Sequence, residues 1–329
     1  MNNNNNLLSL FCGAGGLDLG FISEGFKVKL AIDYSAAAIQ THKLNFPSSN
    51  AQQHDLLALG TEGLFELCKE NFTLGQSIGI IGGPPCQGFS RSNRNSSTDD
   101  PRNKLAMLYI DMIEKLYINY SVDFVVFENV MGLKDKKHQH TYQLIISRLK
   151  SFNFDVYEKE LNANDFGVAQ IRKRVIIIAL KKGSYKNVPE FVKSDKSKNV
   201  KDVIFNLPEP VFYKKNIKSG DIPYHPNHWT MMPRSKRFHD NSLMNNKSRS
   251  FRAISWDKPS PTIAYGNREI HIHPDKKRRL SIFESMLLQG FPKKFVLQGN
   301  LSQQVTQISN AVPPPMARKI AQVIKNLSI

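Results

Sequence analysis

The chain of 329 residues is 40% apolar and 22% charged, an ordinary composition for a globular protein with one large domain and a smaller one. No apolar run approaches the roughly 18 residues of a membrane span, the five asparagines after Met1 lack the charged and apolar regions of a secretory leader, and Cys12, Cys68 and Cys86 stand too far apart for a disulfide framework or a zinc motif. The net charge of +17 is concentrated: residues 1–180 hold 18 basic and 18 acidic side chains, residues 181–300 hold 24 and 10, and a basic block in an otherwise neutral chain points to a polyanion, usually nucleic acid.

Leu7–Cys12 is a short apolar strand running into Gly13-Ala14-Gly15-Gly16, after which Leu17–Gly25 begins a helical pattern. Glycines let the backbone approach a ligand closely, and a helix start favours an anionic group. The spacing is not the GxGxxG of a dinucleotide fold, because the third glycine directly follows the second. Val28–Asp33 is a second strand, followed by a helix from Ser35 to Asn45. Asp33, at that strand's end, is placed to accept from ribose hydroxyls, and Asp55, beyond the next gap, from an adenine amino group. Cys12 is expected to be a small packed residue.

Ile78–Gly82 is a third strand, ending in Gly83-Pro84-Pro85-Cys86-Gln87-Gly88. Two prolines fix the backbone before the cysteine and aim its side chain out of a strand end, where open parallel sheets place their ligands. Cys86 therefore reads as a nucleophile rather than a packed thiol. Residues 87–103, with Arg91, Arg94, Asp99, Asp100 and Arg102, are polar without an evident element and read as a mobile lid. Leu105–Tyr120 has helical spacing, and Val122–Glu128 is a fourth strand. A carboxyl at position 128, behind the apolar run Phe124–Phe127, is expected to be partly desolvated and suited to giving a proton.

Gln170-Ile171-Arg172-Lys173-Arg174 precedes a fifth strand, Val175–Leu180. Alternation places Arg172 and Arg174 on one face, where two guanidinium groups can hold a carboxylate, a phosphate or a base edge. Strands separated by helices of this length give an α/β fold whose mostly parallel sheet is covered on both faces. Residues 183–260 are rich in Lys, Asn, Ser and Pro and read as the start of a smaller, loop-rich domain. Thr262–His273 suits strands, Ser281–Leu288 a helix, and Met316–Leu327 a closing helix after Pro313-Pro314-Pro315.

In this order the segments resemble the cytosine-5 DNA methyltransferase family of bacterial restriction-modification systems. The resemblance rests on Phe11-Cys12-Gly13-Ala14-Gly15-Gly16, Pro84-Pro85-Cys86-Gln87, Glu128-Asn129-Val130, Gln170-x-Arg172-x-Arg174, Leu288-Gln289-Gly290-Phe291-Pro292 and Gln307-Ile308-Ser309-Asn310-Ala311-Val312-Pro313-Pro314. It implies a Rossmann-like, S-adenosylmethionine-dependent methyltransferase domain over residues 1–182 and 305–329. Residues 183–304, which hold the basic block, would be the target recognition domain and hinge. The resemblance also implies that Cys86 attacks C6 of a cytosine flipped out of double-stranded DNA, that Glu128 binds N3 and the exocyclic amine, that Arg172 holds O2, and that Arg174 orders the site.

The same resemblance surrounds S-adenosyl-L-methionine with Phe11, Gly13, Gly15, Gly16, Leu17, Asp33, Tyr34, Asp55, Leu56, Pro84, Asn310 and Ala311. Gln87, Ser90, Arg91, Arg234, Arg237 and Arg268 are expected on DNA, with His225, His228 and Trp229 as further readers. No metal is expected. A monomeric cytoplasmic enzyme paired functionally with a restriction endonuclease is expected. One departure is Ser309, where the family usually has glycine.

Three other readings meet specific features. A tRNA-methylating relative would lack the long basic block. A catalytically dead DNA-binding relative could lose Cys86, Glu128 or Arg172, and all three are present. An enzyme methylating an exocyclic amine would carry Asn/Asp-Pro-Pro-aromatic in place of Gly83-Pro84-Pro85-Cys86.

Overall fold

The computed structural model describes residues 5–85, 103–194, 196–214, 217–238, 252–262, 264–265 and 269–329. It divides into two compact units: Met1–Leu161, Lys173–Val192 and Ala317–Ile329 form the first, and Asn162–Arg172 and Lys193–Met316 the second. The sequence reading had placed the changes at 182/183 and 304/305.

The first unit is built on β1 (Asn6–Leu10), α1 (Gly16–Ser23), β2 (Lys27–Asp33), α2 (Ala36–Asn45), β3 (Asn50–Gln53), α3 (Leu56–Asn71), β4 (Ser77–Gly82), α4 (Asn103–Asn119), β5 (Ser121–Val130), α5 (Gln139–Ser151), β6 (Phe154–Asn162) and β7 (Lys173–Lys181). The seven strands form one sheet in the order β3-β2-β1-β4-β5-β7-β6. The first five run parallel, and β7 lies antiparallel to β5. The expected mostly parallel α/β architecture is therefore observed. The order reverses between β1 and β4, so the segments that leave those two strands flank the switch point where open α/β sheets bind ligands.

Composition follows position in the sheet. Central β4 reads Ser-Ile-Gly-Ile-Ile-Gly and is buried along nearly its whole length, as a strand covered on both faces must be. On one face Leu8, Leu10, Ile80 and Phe127 pack with Tyr109 and Ile113 of α4. The rings of Phe21, Phe26 and Phe124 form a second cluster, with centroids 5.2–6.2 Å apart. Edge strands β3 and β6 escape sequence detection for the same reason. β3 is Asn-Ala-Gln-Gln with only Ala51 buried, and β6 alternates charged, solvated side chains with half-buried ones.

The second unit contains α6 (Lys201–Ile204), β8 (Val211–Phe212), β9 (Trp229–Thr230), β10 (Ala264–Tyr265), β11 (Glu269–Ile270), α7 (Ile282–Leu288) and α8 (Leu301–Asn310). With so little regular structure, side chains satisfy its buried backbone groups. Asn227 donates to Leu297 O at 2.9 Å and accepts from Leu297 N at 2.9 Å. Ser281 and Glu284 close a capping box on α7, and Arg278 donates to both oxygens of Glu284 at 2.9 Å, with Arg278 and Glu284 both buried. The closing helix α9 (Pro314–Leu327) returns the chain to the first unit. There Arg318 pairs with Glu24 at 2.6 Å, and Lys325 donates to Glu24 O at 2.7 Å.

Among the described residues no helix is long and apolar enough to cross a membrane. His225, His228 and Trp229 are 7%, 1% and 6% exposed. They belong to the interior of the second unit and do not present an edge for reading DNA. His225 donates through Nε2 to Phe295 O at 3.1 Å and accepts at Nδ1 from Asn227 N at 3.1 Å, so both nitrogens are committed to the neutral ring. His271 donates to Thr262 O at 2.9 Å. Burial lowers the pKa of each from 6.5 to about 4.

An unfolded chain takes up these two protons near pH 6.5 and the folded unit only near pH 4. The stability contributed by the neutral rings is thus complete above about pH 6.5 and is lost as pH falls toward 4. Both tryptophans, Trp229 and Trp256, lie in this unit, so the urea midpoint read by tryptophan fluorescence is expected to fall between pH 6.5 and 4. A midpoint unchanged over that window would contradict the neutral-ring assignment.

Candidate active site

At the end of β1 the backbone turns through three unusual conformations: φ is 55° at Phe11, 54° at Gly13 and 83° at Gly15. Left-handed backbone suits glycine, and Gly15 caps α1 in this form. Cys12 N donates to Ile32 O at 3.0 Å. The Asp33 carboxylate accepts from Gly13 N and Ser35 N, each at 2.9 Å. Burial raises the pKa of Asp33, while those two backbone donors lower it. Burial, reinforced by Asp33 and Asp18, pushes the Cys12 thiol well up, which keeps it a packed thiol as expected.

The ends of β2 and β3 continue along the same edge of the sheet. His54 N donates to Asp33 O at 3.0 Å, and Asp55 follows as the exposed cap of α3, accepting from Leu57 N at 2.9 Å. Tyr34 is 63% exposed and Leu57 53%, and a Cβ built on Gly13 meets nothing within 4 Å. Open space over the turn, two carboxylates at adjacent strand ends and uncovered apolar side chains fit an adenosine-bearing cofactor. Phe11 lies half-buried, and Gly16 and Leu17 open α1. Leu56 differs from expectation: its side chain lies in the hydrophobic core, so only its backbone at the start of α3 faces that end of the sheet.

The ends of β4 and β5 form the second half of the site. Gly82 pairs with Phe127, which brings Gly83 against Glu128. A Cβ on Gly83 would lie 2.8 Å from Glu128 Oε2, so a side chain there would push the carboxylate from its present position. Asn129 donates from Nδ2 to Pro84 O at 3.3 Å, and its Oδ1 accepts from Val130 N at 2.9 Å. Pro84 is buried, and the chain leaves for Cys86 beside the Glu128 carboxylate. Cys86, Gln87, Ser90, Arg91, the remaining residues of the expected lid to 102, and Arg268 lie outside the described residues. Of Arg237 only the backbone is described, and Arg234 is exposed.

The two arginines separate. Arg174, in β7, pairs with Val130, diagonal to Glu128 across the antiparallel ladder. Its Nε lies 2.8 Å from Glu128 Oε1, both side chains being largely buried. Arg172 precedes β7 and belongs to the second unit, where it is 1% exposed and donates to Ser309 O at 2.7 Å. The two guanidiniums take different partners, Arg174 the Glu128 carboxylate and Arg172 the Ser309 carbonyl. Ser309 sits inside α8, in ordinary helical structure, which explains why a residue other than glycine is accommodated. Asn310 ends α8 exposed, and Ala311 O accepts from Gln289 Nε2 at 2.8 Å.

Sequence reasoning missed His42 and Asp18. With Cys12 they are the one group of potential metal ligands found among the described residues, with donor atoms within 4.8 Å of one another. Both Asp18 oxygens already accept hydrogen bonds, from Ser9 Oγ at 2.6 Å and from His42 Nε2 at 2.7 Å, which accounts for the cluster without an ion. No spacing rule joins residues 18 and 42.

Residues 5–326 match the family described as C-5 cytosine-specific DNA methylase. The Type II methyltransferase M.NmeDI of Neisseria meningitidis serogroup C is 30% identical over 97% of this chain and 83% of its own length. The Type II methyltransferase M.MthTI of Methanothermobacter thermautotrophicus is 31% identical over 98% of this chain and 97% of its own. Among solved structures, an E. coli protein described as a prophage-encoded DNA modification methyltransferase superposes with a TM-score of 0.78 at 28% identity, covering 98% and 99% of the two chains. The Entamoeba histolytica methyltransferase EhMeth shares the fold, with a TM-score of 0.68 at 18% identity over 98% of each chain.

The turn makes a contrast that can be measured. A Cβ on Gly15 would lie 2.4 Å from Phe46 Cε2, so Gly15→Ala combines that clash with a left-handed penalty of about 1–2 kcal/mol and is expected to lower the melting temperature markedly. Gly13→Ala meets open space and is expected to cost less stability but to weaken binding of an adenosine-bearing ligand. Calorimetry and equilibrium ligand binding on the two variants check this, and equal effects on both quantities would contradict the geometry.

Proposed function

This chain belongs to the C-5 cytosine-specific DNA methylase family, and from that premise we propose that Cys86 is its nucleophile, that Glu128 and Arg174 hold the target base, and that the turn after β1 holds S-adenosylmethionine. The reaction is methylation of DNA cytosine at C5. The observation that carries the residue assignment is the meeting of the ends of β4 and β5, where Gly83 leaves room for the Glu128 carboxylate and Pro84 is tied to Asn129.

C5 of cytosine is a poor nucleophile within the aromatic ring. Addition of the Cys86 thiolate to C6 breaks the ring's conjugation and places electron density on C5. Glu128 supports that addition by holding a proton at N3 and accepting from the exocyclic amine. Arg174 braces the carboxylate and offers its remaining N–H donors to O2 of the same base. This replaces Arg172, whose guanidinium is engaged with the Ser309 carbonyl in the second unit. Arg172 is better read as an organiser of that unit. The S-adenosylmethionine sulfonium supplies an electrophilic methyl when bound. Asp33 and Asp55 suit its ribose and adenine, Phe11 and Tyr34 its flanks, and the backbone of Gly13, Gly15, Gly16 and Leu17 its close approach, with Leu56, Pro84, Asn310 and Ala311 as further neighbours. After transfer, loss of the C5 proton restores the aromatic ring as the C6–S bond breaks and Cys86 leaves as thiolate.

None of this fits a stacked base, so the cytosine is flipped out, with the expected lid, residues 87–103, closing over it. The basic segment 183–304 serves as the target recognition domain. Arg234 is an exposed phosphate or base contact, and Gln87, Ser90, Arg91, Arg237 and Arg268 are assigned to the same partner. A cognate restriction endonuclease is the functional counterpart, and the chain acts in the cytoplasm as a monomer that modifies each strand in turn.

Cys86→Ala is expected to abolish methyl transfer while keeping DNA binding. Duplex DNA carrying 5-fluorocytosine at a site mapped by bisulfite sequencing is expected to become covalently attached to the wild-type protein when donor is present. Absence of that adduct would remove Cys86 from the chemistry. Arg174→Ala is expected to lower kcat by about 10²–10³ with a folded protein, as loss of a transition-state donor does, whereas Arg172→Ala is expected to act first on the melting temperature. The opposite pattern would return the base contact to Arg172.

A further inference from the structure

Beneath the cofactor turn lies a polar chain the mechanism does not use. Ser9, in β1, donates to Asp18 Oδ1 at 2.6 Å, and His42, in α2, donates from Nε2 to Asp18 Oδ2 at 2.7 Å. All three residues are fully buried. With Asp18 accepting on both oxygens, the proton belongs on His42 Nε2. His42 Nδ1 has no hydrogen-bond partner among the described residues. A buried carboxylate and a half-satisfied ring are an expensive way to fill an interior that apolar side chains would fill more cheaply. What such a network contributes is a single geometry.

That geometry bears on the turn. Asp18 is the third residue of α1, so its anchor holds the helix whose first residues are the end of the turn. A Cβ on Gly15 would lie 2.4 Å from Phe46 Cε2 and 3.1 Å from His42 Cδ2. The two rings, one helical turn apart and 4.7 Å between centroids, are therefore the floor on which the turn rests. The end of β2 holds the other side: Asp33 accepts from Gly13 N, in the turn, and from Ser35 N, where Ser35 caps α2. β2 and α2 together thus hold residues 13–18 at two points.

We propose that the buried Ser9–Asp18–His42 chain fixes the shape of the cofactor turn, making His42 a positioning residue for the methyl donor although it lies in a helix after the next strand. The proposal rests on the reading of that turn as the donor site. Removing the ring leaves Asp18 without its anchor to α2 and the turn without its floor, while the ends of β4 and β5 are untouched. Donor affinity should fall and the rate at saturating donor should not.

The test is steady-state kinetics on the full-length protein with S-adenosylmethionine varied at saturating DNA, beside equilibrium binding of S-adenosylhomocysteine. His42→Ala is expected to raise the donor KM about tenfold or more, as loss of pre-set geometry does, with kcat and DNA affinity near wild type. His42→Gln, which keeps an N–H toward Asp18, is expected to restore most of the loss. If His42→Ala does not fold, Phe46→Leu and His42→Gln carry the measurement, with Phe46→Leu raising the donor KM. A lower melting temperature with unchanged donor KM would overturn the proposal, and so would a Gln variant as impaired as the Ala variant. Asp33→Asn is run in parallel. If it loses donor affinity and the His42 and Phe46 variants do not, the positioning role alone fails; if it too keeps full affinity, the donor-site reading fails and takes the proposal with it.

Discussion

The Glu128 carboxylate occupies the space beside residue 83, and the proposed catalytic edge is arranged around that contact. Because residue 83 is glycine, the carboxylate can rest against the end of β4, and Asn129 ties the same strand end through Pro84 O. On the other side Arg174 reaches the same carboxylate from an antiparallel strand. One acidic group is thereby held between a turn and a guanidinium with little freedom to move. In the mechanism proposed above, a site that adds a thiolate to a ring and holds a proton at the opposite edge needs that rigidity more than it needs strong binding.

The two arginines show how a motif divides its labour. They are two residues apart in sequence, yet one braces Glu128 in the first unit and the other lies buried in the second, donating to the carbonyl of Ser309. Desolvating a guanidinium is unfavourable unless its donors are used, and Arg172 gives one of its donors to that carbonyl. The same economy appears at Arg278 and Glu284, whose doubly bonded pair sits beside the capping box of α7. A unit with few strands and short helices holds its backbone through such polar links beside its buried apolar residues, among them Ile272, Leu280, Phe283 and Phe295.

Much of the fold was legible in the residues themselves. The five strands found from apolar runs are the buried ones, β1, β2, β4, β5 and β7, because strands covered on both faces must be continuously apolar. β3 and β6 were missed because an edge strand is free to be polar. The helices α3, α5, α6 and α8 were missed as well. The glycine turn, the Pro-Pro-Cys segment and the strand-end acids Asp33 and Glu128 were recognisable because each needs particular residue types at fixed spacing along the chain.

Position along the chain thus determined the order of strands, the placement of the basic block and the family, since each depends on residues close in sequence. Only the tertiary structure decided which arginine meets Glu128, that His225, His228 and Trp229 belong to an interior, and that His42 bonds Asp18, 24 residues before it. These outcomes depend on where a strand begins and on which side chains share a face after packing. Local propensity and spacing carry no record of either, because burial and pairing belong to elements brought together from distant parts of the chain.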